Sequence, residues 1–393
     1  MWQAARLALG TASALGLSRF AYGLLVPAMR DDLRWTLAEA GAMSTANGLG
    51  YLVGALLTAF VVRRAGVAAA FRRGMALTAI TLAATALSGD FTVLLLLRAA
   101  AGVAGAVVFI SGGVIASRVA NRVGSGTPIT VYFAGAGLGI VFGGVTIPLL
   151  GDDWRVAWVA LGVAAGVATL VSWTAAAGGG EPPAATAGRA RVRALWRPAV
   201  AYLLFALGYI TYITFLSAYL DDHAAPTWQV VLTWAALGAA VVAAPALWSR
   251  PIGSWSGTRA MATLLLVLGA GAGLALAAPT PVVILGSAVV YGATFMGVPA
   301  AITALIRTTV APADWTATLA AFTTVFAAGQ TAGPWLAGIV ADRTSTDATL
   351  AWTAVLCAAA AVIVVRVGPP RRRSAPRPPR RRPAAPDHRR RGS

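Results

Sequence analysis

Residues 91–117 read FTVLLLLRAAAGVAGAVVFISGGVIAS, a run of apolar and small residues interrupted by a single charge, Arg98. A helix that crosses the hydrocarbon core of a bilayer needs ~20 such residues. Because lipid offers no hydrogen bond to exposed backbone groups, a run of this length is predicted to be a helix. Twelve stretches of this kind follow one another along the chain, at 7–29, 38–62, 74–89, 91–117, 128–150, 155–176, 198–220, 228–248, 260–278, 281–306, 316–341 and 349–366. The sequence therefore predicts an all-α membrane protein with twelve transmembrane helices.

The charges between these stretches predict the orientation of the chain. Only 11% of the residues are charged, against roughly 25% in a soluble domain. Of the 31 basic residues, all Arg, 25 lie at the two termini and in alternate gaps, whereas ten of the 13 acidic residues lie in the other gaps. Basic loops stay in the cytoplasm, so both termini are predicted to be cytoplasmic and the protein is predicted to be multi-pass in the cytoplasmic (inner) membrane. The formal charge of +18 therefore orients the protein and does not indicate a nucleic-acid partner.

The chain divides into two similar parts. Gly135, Gly139, Gly143 and Gly144 recur as Gly329, Gly333, Ala337 and Gly338, 194 residues later. This repeat predicts two pseudo-symmetric six-helix bundles, 1–176 and 198–366, with a site between them at the membrane midplane. The Gly/Pro/Ala-rich and then basic segment 177–197 is predicted to be a cytoplasmic linker. The Pro/Arg-rich tail 367–393 is predicted to be disordered and to be attracted to anionic lipid headgroups.

Several classes of chemistry are excluded by composition. The single cysteine, Cys357, lies inside the last apolar stretch, so neither a disulfide framework nor a thiolate metal site is expected. The chain has no Lys and therefore no Walker-type phosphate loop. His223 and His388 lie outside the predicted spans, and no acid within a span pairs with a nucleophile. An enzyme, a metal site and a cofactor are therefore not expected.

The acidic residues lie at the ends of the predicted helices. Glu39 follows Thr36 by three residues, which predicts a capping box, and Asp90 and Asp314 each precede a helix as N-caps do. Secondary transporters that move protons usually place a carboxylate within a span. Because none lies in the middle of a span here, proton coupling is not predicted.

Three short stretches resemble a known family. They are SRFAYG at 18–23, TANGLGY at 45–51 and GYITYITF at 208–215. With twelve predicted helices and a central linker, they make the chain similar to the YbfB/YjiJ-type branch of the major facilitator superfamily over about residues 5–366. The resemblance implies two six-helix bundles that bind a small-molecule substrate between them by alternating access, and we expect a monomer.

Motifs of that superfamily point to coupling or gating positions. Arg98, Gly102 and Gly105 match its Arg-x3-Gly-x2-Gly pattern, and the fifth stretch has the glycine spacing of its antiporter-associated motif, although Ile140 stands where that motif has Pro. The loop at 63–67 lacks the acid that the superfamily places there, so an ion pair that gates this loop is not expected. Small residues allow close helix packing. The predicted coupling or gating residues are Arg98, Gly102, Gly105, Gly135, Gly139, Gly143, Gly144, Gly333 and Pro334.

Arg19 is the residue that most strongly indicates a substrate site. It lies twelve residues into the first predicted span, hence roughly 18 Å along the helix at 1.5 Å per residue, where an arginine costs about 2.5–3.5 kcal/mol on insertion scales. It either binds an anionic substrate or is satisfied by helix carbonyls, Asn47 or a neighbouring Tyr. In the seventh span, the spacing offers either Thr211 with Thr214 or Tyr209 with Tyr212 to the cavity, and the first pair is favoured. The predicted lining is Arg19, Tyr22, Asn47, Tyr51, Thr211, Thr214, Tyr291 and Gln330.

These observations favour a secondary active or facilitative transporter of a small organic solute, with an organic anion bound at the midplane by Arg19. The alternative is efflux of neutral or lipophilic compounds, in which case Arg19 is structural. The substrate, the direction of transport and the coupling ion stay open at this point.

Overall fold

The computed structural model describes residues 2–177 and 188–365. The predicted tail, 367–393, and residues 178–187 of the predicted linker lie outside the described residues. Within the described residues the chain is α-helical apart from short connections. Residues 208–220 illustrate the cause, since they are apolar or aromatic with only Gly and short hydroxyl side chains between, and the backbone of such a run is satisfied only within a helix.

The helices are numbered here in chain order. Their bounds are α1 Trp2–Leu33, α2 Leu37–Ala65, α3 Val67–Thr85, α4 Phe91–Val123, α5 Thr127–Leu149, α6 Trp154–Ser172, α7 Trp196–Asp222, α8 Thr227–Ser254, α9 Gly257–Leu274, α10 Pro281–Thr309, α11 Trp315–Asp342 and α12 Asp347–Val365. In α10 the helix is interrupted once, between Phe295 and Gly297.

Eleven helices in the described part of the chain are long and apolar enough to cross a membrane. The all-α fold and its many membrane-spanning helices are thereby confirmed. Helix α11, which corresponds to the predicted span 316–341, is not among the eleven, and its sequence carries Gln330 and several Thr and Gly residues. The count of twelve spans and the cytoplasmic termini stay predictions.

Two of the three helix caps that the sequence predicts are present in the structure. The capping box at Thr36 and Glu39 is present, and the Asp90 side chain accepts a hydrogen bond from the Val93 N–H at 2.9 Å. The prediction for Asp314 was wrong, because its side chain makes no cap bond to α11. Its carboxylate instead accepts from the Arg189 N–H at 2.8 Å and from the Arg191 guanidinium at 2.6 Å, and these bonds lower the pKa of the Asp314 carboxyl.

The helix contacts repeat with a spacing of six helices. In the first half, α1–α6, helix α4 packs against α2 and α3, while α1 packs against α5. In the second half, α7–α12, α10 packs against α8 and α9, and α7 packs against α11. Within the described residues, the contacts among α1–α6 thus recur among α7–α12. The surface between these two groups of helices is where a shared site can form.

Candidate substrate site between the two halves

In the described residues, the most extensive contacts between the halves are those of α1 with α7, α2 with α11 and α5 with α8. Glycines bring the backbones together. A methyl carbon built on Gly238 of α8 would lie 2.7 Å from the carbonyl oxygen of Gly137 in α5, and one built on Gly137 would lie 2.6 Å from the Gly238 oxygen. The backbone of Pro334 in α11 occupies the space beside Gly41 of α2 in the same way. Such close approach is possible only for small residues, so the halves touch through their backbones.

The polar contacts between the halves lie toward one end of the bundle, here called the acidic end. This end is defined by Asp31, Asp32, Asp152, Asp153, Asp221, Asp222, Asp342 and Asp347. Asp342 of α11 accepts hydrogen bonds from the backbone N–H groups of Leu37 and Ala38 at the start of α2, at 2.7 and 2.9 Å. Arg30 lies 3.8 Å from Asp222. The hydrogen bonds and the ion pair described between α1–α6 and α7–α12 lie between this end and Arg19, so the halves are joined at the acidic end.

Helix α1 presents Arg19 from a π-helical segment, Ala12–Phe20. At its end the Ala21 N–H donates to the Gly16 carbonyl oxygen, five residues earlier, at 2.8 Å. Such wide turns occur mostly as short insertions at functional sites. Arg19 is only 7% exposed. The widened turn therefore directs a buried guanidinium toward the second half.

Arg19 meets the second half through Gln330. Its Nη2 donates to the Gln330 Oε1 at 2.8 Å, and the Tyr209 hydroxyl donates to the same oxygen at 3.0 Å. The guanidinium carbon lies 5.6 Å from the centre of the Tyr51 ring and 5.9 Å from that of Tyr209, within cation–π range. These four residues come from α1, α2, α7 and α11, so the cluster exists only when the halves meet.

Aromatic rings surround this cluster. The Tyr209 ring stacks with Phe326 at 5.2 Å and with Phe295 at 6.1 Å between centroids. Phe295 in turn meets the edge of Phe20 in α1 at 6.0 Å. Rings in this arrangement bury large apolar areas and favour planar partners. The cluster combines one cation with a set of flat apolar surfaces.

No carboxylate in the described part of the chain balances the charge of Arg19. All acidic side chains in residues 2–177 and 188–365 lie at helix ends or in connections, and none forms an ion pair with Arg19. The Gln330 side-chain nitrogen Nε2 is buried and finds no hydrogen-bond partner among residues 2–177 and 188–365. An unsatisfied buried donor costs about 1–3 kcal/mol. The site therefore offers donors and positive charge without acceptors to match.

A second buried arginine, Arg98 of α4, lies apart from the first. It is 2% exposed, its Nη1 donates to the Ser18 carbonyl oxygen at 2.7 Å, and its guanidinium carbon lies 4.8 Å from the Tyr22 ring centre and 5.2 Å from that of Trp158. Its Nε and Nη2 atoms have no hydrogen-bond partner in the described residues. Arg98 is therefore enclosed within the first half.

Two of the predicted lining residues belong to this second cluster. Tyr22 faces Arg98 and donates its hydroxyl to the Ala40 carbonyl oxygen at 2.8 Å. The Asn47 side chain donates to the Arg98 carbonyl oxygen at 3.1 Å, which joins α2 to α4. Both therefore support the first half beside Arg19.

Helix α7 is buried on all sides at its centre, so its spacing does not select a single inward face. All of residues 208–220 are buried. Thr211 donates to the Leu207 carbonyl oxygen of its own helix, and Thr214 lies 3.0 Å from the Ser44 hydroxyl of α2. Tyr209, from the pair that the sequence prediction did not favour, is the α7 side chain that meets Arg19 and Gln330.

Tyr291 contacts the cluster around Arg19 through the backbone of Tyr209. Its hydroxyl donates to the Tyr209 carbonyl oxygen, and its ring stacks on Tyr212 at 3.9 Å. Of the predicted lining residues, the structure brings Arg19, Tyr51 and Gln330 together, and Tyr291 contacts this cluster only through Tyr209.

The predicted gating residues lie at helix contacts. Gly102 faces the α2 backbone at Asn47 and Tyr51, and Gly105 faces Ala14 of α1. The α5 glycines divide between two neighbours: Gly135, Gly139 and Gly143 face α1, and Gly144 faces Trp234 of α8 in the other half. Gly333 meets the α7 backbone at Leu207, next to Pro334. Their role in gating stays a prediction.

Phe295 and Phe326 join the site without having been singled out in the sequence. Apolar side chains carry no polar signal inside an apolar span. Phe326 precedes Gln330 by four residues, and such pairs share one face of a helix. That spacing is the signal that could have found Phe326.

Comparisons with known proteins agree with this architecture. The family model described as "Uncharacterised MFS-type transporter YbfB" matches residues 11–367. No curated protein matches the chain. Among solved structures, a mutant form of the nucleoside transporter NupG has a TM-score of 0.67 at 17% identity, covering 92% of this chain and 98% of that one. A bacterial homologue of the human lysosomal transporter Spinster, in an inward-facing and unoccupied conformation, has a TM-score of 0.65 at 13% identity, covering 92% and 94%.

These two structures share the fold with the chain, and the family model spans both of its halves and the cluster around Arg19. The chain therefore belongs to the YbfB-type family of the major facilitator superfamily, whose members are multi-pass membrane proteins that transport small solutes and are not enzymes.

Proposed function

We propose that the protein is a secondary transporter of small organic anions, which it binds between its halves through Arg19. The observation that supports this proposal is a buried arginine at the contact between the halves that has no carboxylate partner among the described residues. A charge in the membrane interior is expensive unless it is paired or serves a ligand. An anionic substrate would complete the pair with a charge-assisted hydrogen bond.

Transport would proceed by alternating access. The described arrangement is joined at the acidic end by Asp342 with α2 and by Arg30 with Asp222. With cytoplasmic termini in the inner membrane, the opposite end would face the cytoplasm, so substrate would exchange with the cytoplasm in this state. Breaking the contacts at the acidic end and rocking the halves would open the other side. Arg98 and the glycines at helix contacts would serve this movement.

The test is counterflow in liposomes that contain the purified monomer. Vesicles preloaded with one of a panel of organic acids should take up labelled acid, and Arg19→Ala should abolish this uptake. Arg122→Ala, which changes an exposed arginine in the last turn of α4, should leave it intact. Full counterflow in Arg19→Ala would overturn the assignment.

Efflux of neutral or lipophilic compounds is the second candidate, and the aromatic surroundings of Arg19 favour it. Tyr202, Phe205, Tyr209 and Phe326 form a continuous set of stacked rings, which suits an uncharged planar compound. In that case Arg19 has a structural role, in which its guanidinium is stabilised by the hydrogen bond to Gln330 and by the ring of Tyr209. A host strain that lacks the gene would then become more susceptible to lipophilic drugs, and Arg19→Gln would complement the loss.

A further inference from the structure

The Gln330 amide has one possible orientation. Arg19 is a donor only, so the Gln330 atom that faces its Nη2 at 2.8 Å must be the oxygen. The Tyr209 hydroxyl donates to the same oxygen at 3.0 Å. The nitrogen Nε2 is thereby turned away from both donors.

That nitrogen is left without a partner. Gln330 is fully buried, and no described residue accepts a hydrogen bond from Nε2. Buried amides are normally satisfied. Arg19 likewise makes one hydrogen bond, through Nη2, so that its Nε and Nη1 N–H groups have no acceptor among the described residues. The Arg19 guanidinium and the Gln330 amide, which are joined by a hydrogen bond, thus each keep N–H donors without an acceptor. The four residues of the cluster around Arg19 include no acidic side chain.

We propose that Gln330 is a specificity-determining residue for planar aromatic carboxylates, donating from Nε2 to one carboxylate oxygen while Arg19 donates to the other. This proposal rests on the proposed function. A carboxylate has two acceptor oxygens and no donor, so it satisfies both groups at once. A primary amide brings its own N–H groups toward these donors, an ester carries an alkyl group on one of its two oxygens and has no negative charge, and an ammonium adds a like charge.

The rings beside the pair select the rest of the ligand. Tyr51 and Tyr209 lie against the guanidinium, and Phe295 and Phe326 stack on Tyr209. A flat ring attached to the carboxylate would pack among these four rings. Tyr51 and Phe326, both half-buried, form the accessible edge of the cluster beside Arg19, which is 7% exposed.

The experiment measures binding to the full-length protein in detergent by isothermal titration calorimetry. The probes are benzoate, nicotinate and indole-3-acetate, with benzamide, methyl benzoate and benzylamine as matched analogues that lack the carboxylate. At least one carboxylate should bind wild-type protein, and its analogues should bind about tenfold more weakly or not at all, as expected for loss of charged hydrogen bonds.

Two variants test the amide nitrogen, and only Gln330→Glu isolates it, because Gln330→Met also removes the oxygen that accepts from Arg19 and Tyr209. Gln330→Glu keeps an oxygen for Arg19 and Tyr209 but replaces the N–H2 group with a second oxygen, and it should weaken carboxylate binding by more than tenfold. Gln330→Met removes the amide N–H donor at similar side-chain volume and should weaken carboxylate binding by about tenfold. If Gln330→Glu does not elute as a monodisperse species, the Gln330→Met variant alone decides the test. Gln229→Glu, at a buried glutamine in the first turn of α8, is the control and should bind as wild type does.

The outcomes separate the two proposals. If both Gln330 variants bind the carboxylate as tightly as wild type while Arg19→Gln does not bind it, the role of Gln330 is overturned and the organic-anion function stands. If none of the three carboxylates binds, the proposed aromatic-acid specificity is overturned. If the neutral analogues bind as well as the acids, and Arg19→Gln binds them equally, both proposals fail.

Discussion

At the scale of single residues, the two buried arginines differ in what surrounds them. Arg19 shares an acceptor with the Tyr209 hydroxyl across the halves. Arg98 is enclosed between Tyr22 and Trp158 and leaves two guanidinium nitrogens without partners. Buried charges with incomplete hydrogen bonding often destabilise relative to an apolar side chain of similar volume. Stability alone therefore does not account for Arg98.

This difference leads to a prediction for Arg98→Met. We expect its melting temperature in detergent to equal or exceed that of wild type, because the substitution removes buried unsatisfied donors. Counterflow should nevertheless fall at least tenfold, because the link from Arg98 to the Ser18 carbonyl next to Arg19 is lost. A large drop in melting temperature would show that Arg98 is instead a structural requirement of the first half.

At the scale of helices, the contact between α5 and α8 depends on two glycines that face each other. A side chain on Gly137 or Gly238 would overlap the backbone of the opposite helix, and in the membrane interior the neighbouring helices leave little room to move apart. Gly166 of α6, by contrast, has nothing within 4 Å of where its methyl group would be. Gly238 and Gly166 are thus a matched pair of helix glycines, the first at a tight contact between helices and the second in open space.

We predict opposite effects for Gly238→Ala and Gly166→Ala. The first should separate α5 from α8, lower the melting temperature and reduce counterflow severalfold. The second should be neutral or raise the free energy of unfolding by up to about 1 kcal/mol, because alanine is the better helix former. Thermal unfolding monitored by size-exclusion elution, together with counterflow, measures both. Equal behaviour of the two variants would contradict the tight contact.

At the scale of the whole molecule, the acidic end is held by a carboxylate at the start of a helix. Asp342 of α11 accepts from the first backbone N–H groups of α2, where the helix dipole favours a negative charge. Because the two helices belong to different halves, the bond must break before the acidic end can open. Asp342 is therefore expected to bias the balance between the two conformations.

Asp342→Ala should expose the space between the halves at the acidic end. The chain has one cysteine, Cys357, so a Cys357→Ser background permits site-specific labelling. A cysteine introduced by Ser44→Cys, in the buried contact with Thr214, should react slowly with a membrane-impermeant maleimide when Asp342 is present. In the Asp342→Ala form it should react several times faster. An unchanged labelling rate would mean that Asp342 does not hold this end closed. The control is Asp90→Ala, which removes a helix cap within the first half.

The sequence by itself determined the class of fold and the central charge. Long apolar runs without access to water have only the helix available to them, and a mid-span arginine stands out because its cost in lipid is large. The capping box at Thr36 follows from local chemistry. These features depend on residues close together in the chain, so their physical causes can be read in order.

The tertiary structure alone decided which side chains meet Arg19. Tyr209 and Gln330 are distant from it in sequence, and α7 is buried all round, so helical periodicity could not choose between Tyr209 and Thr211. The π-helical segment that carries Arg19 has no sequence signature. Asp314 bonds to Arg189 and Arg191 rather than to its own helix because a distant segment of chain packs against it. Local chemistry is readable residue by residue, whereas pairings between the halves arise only when the helices pack.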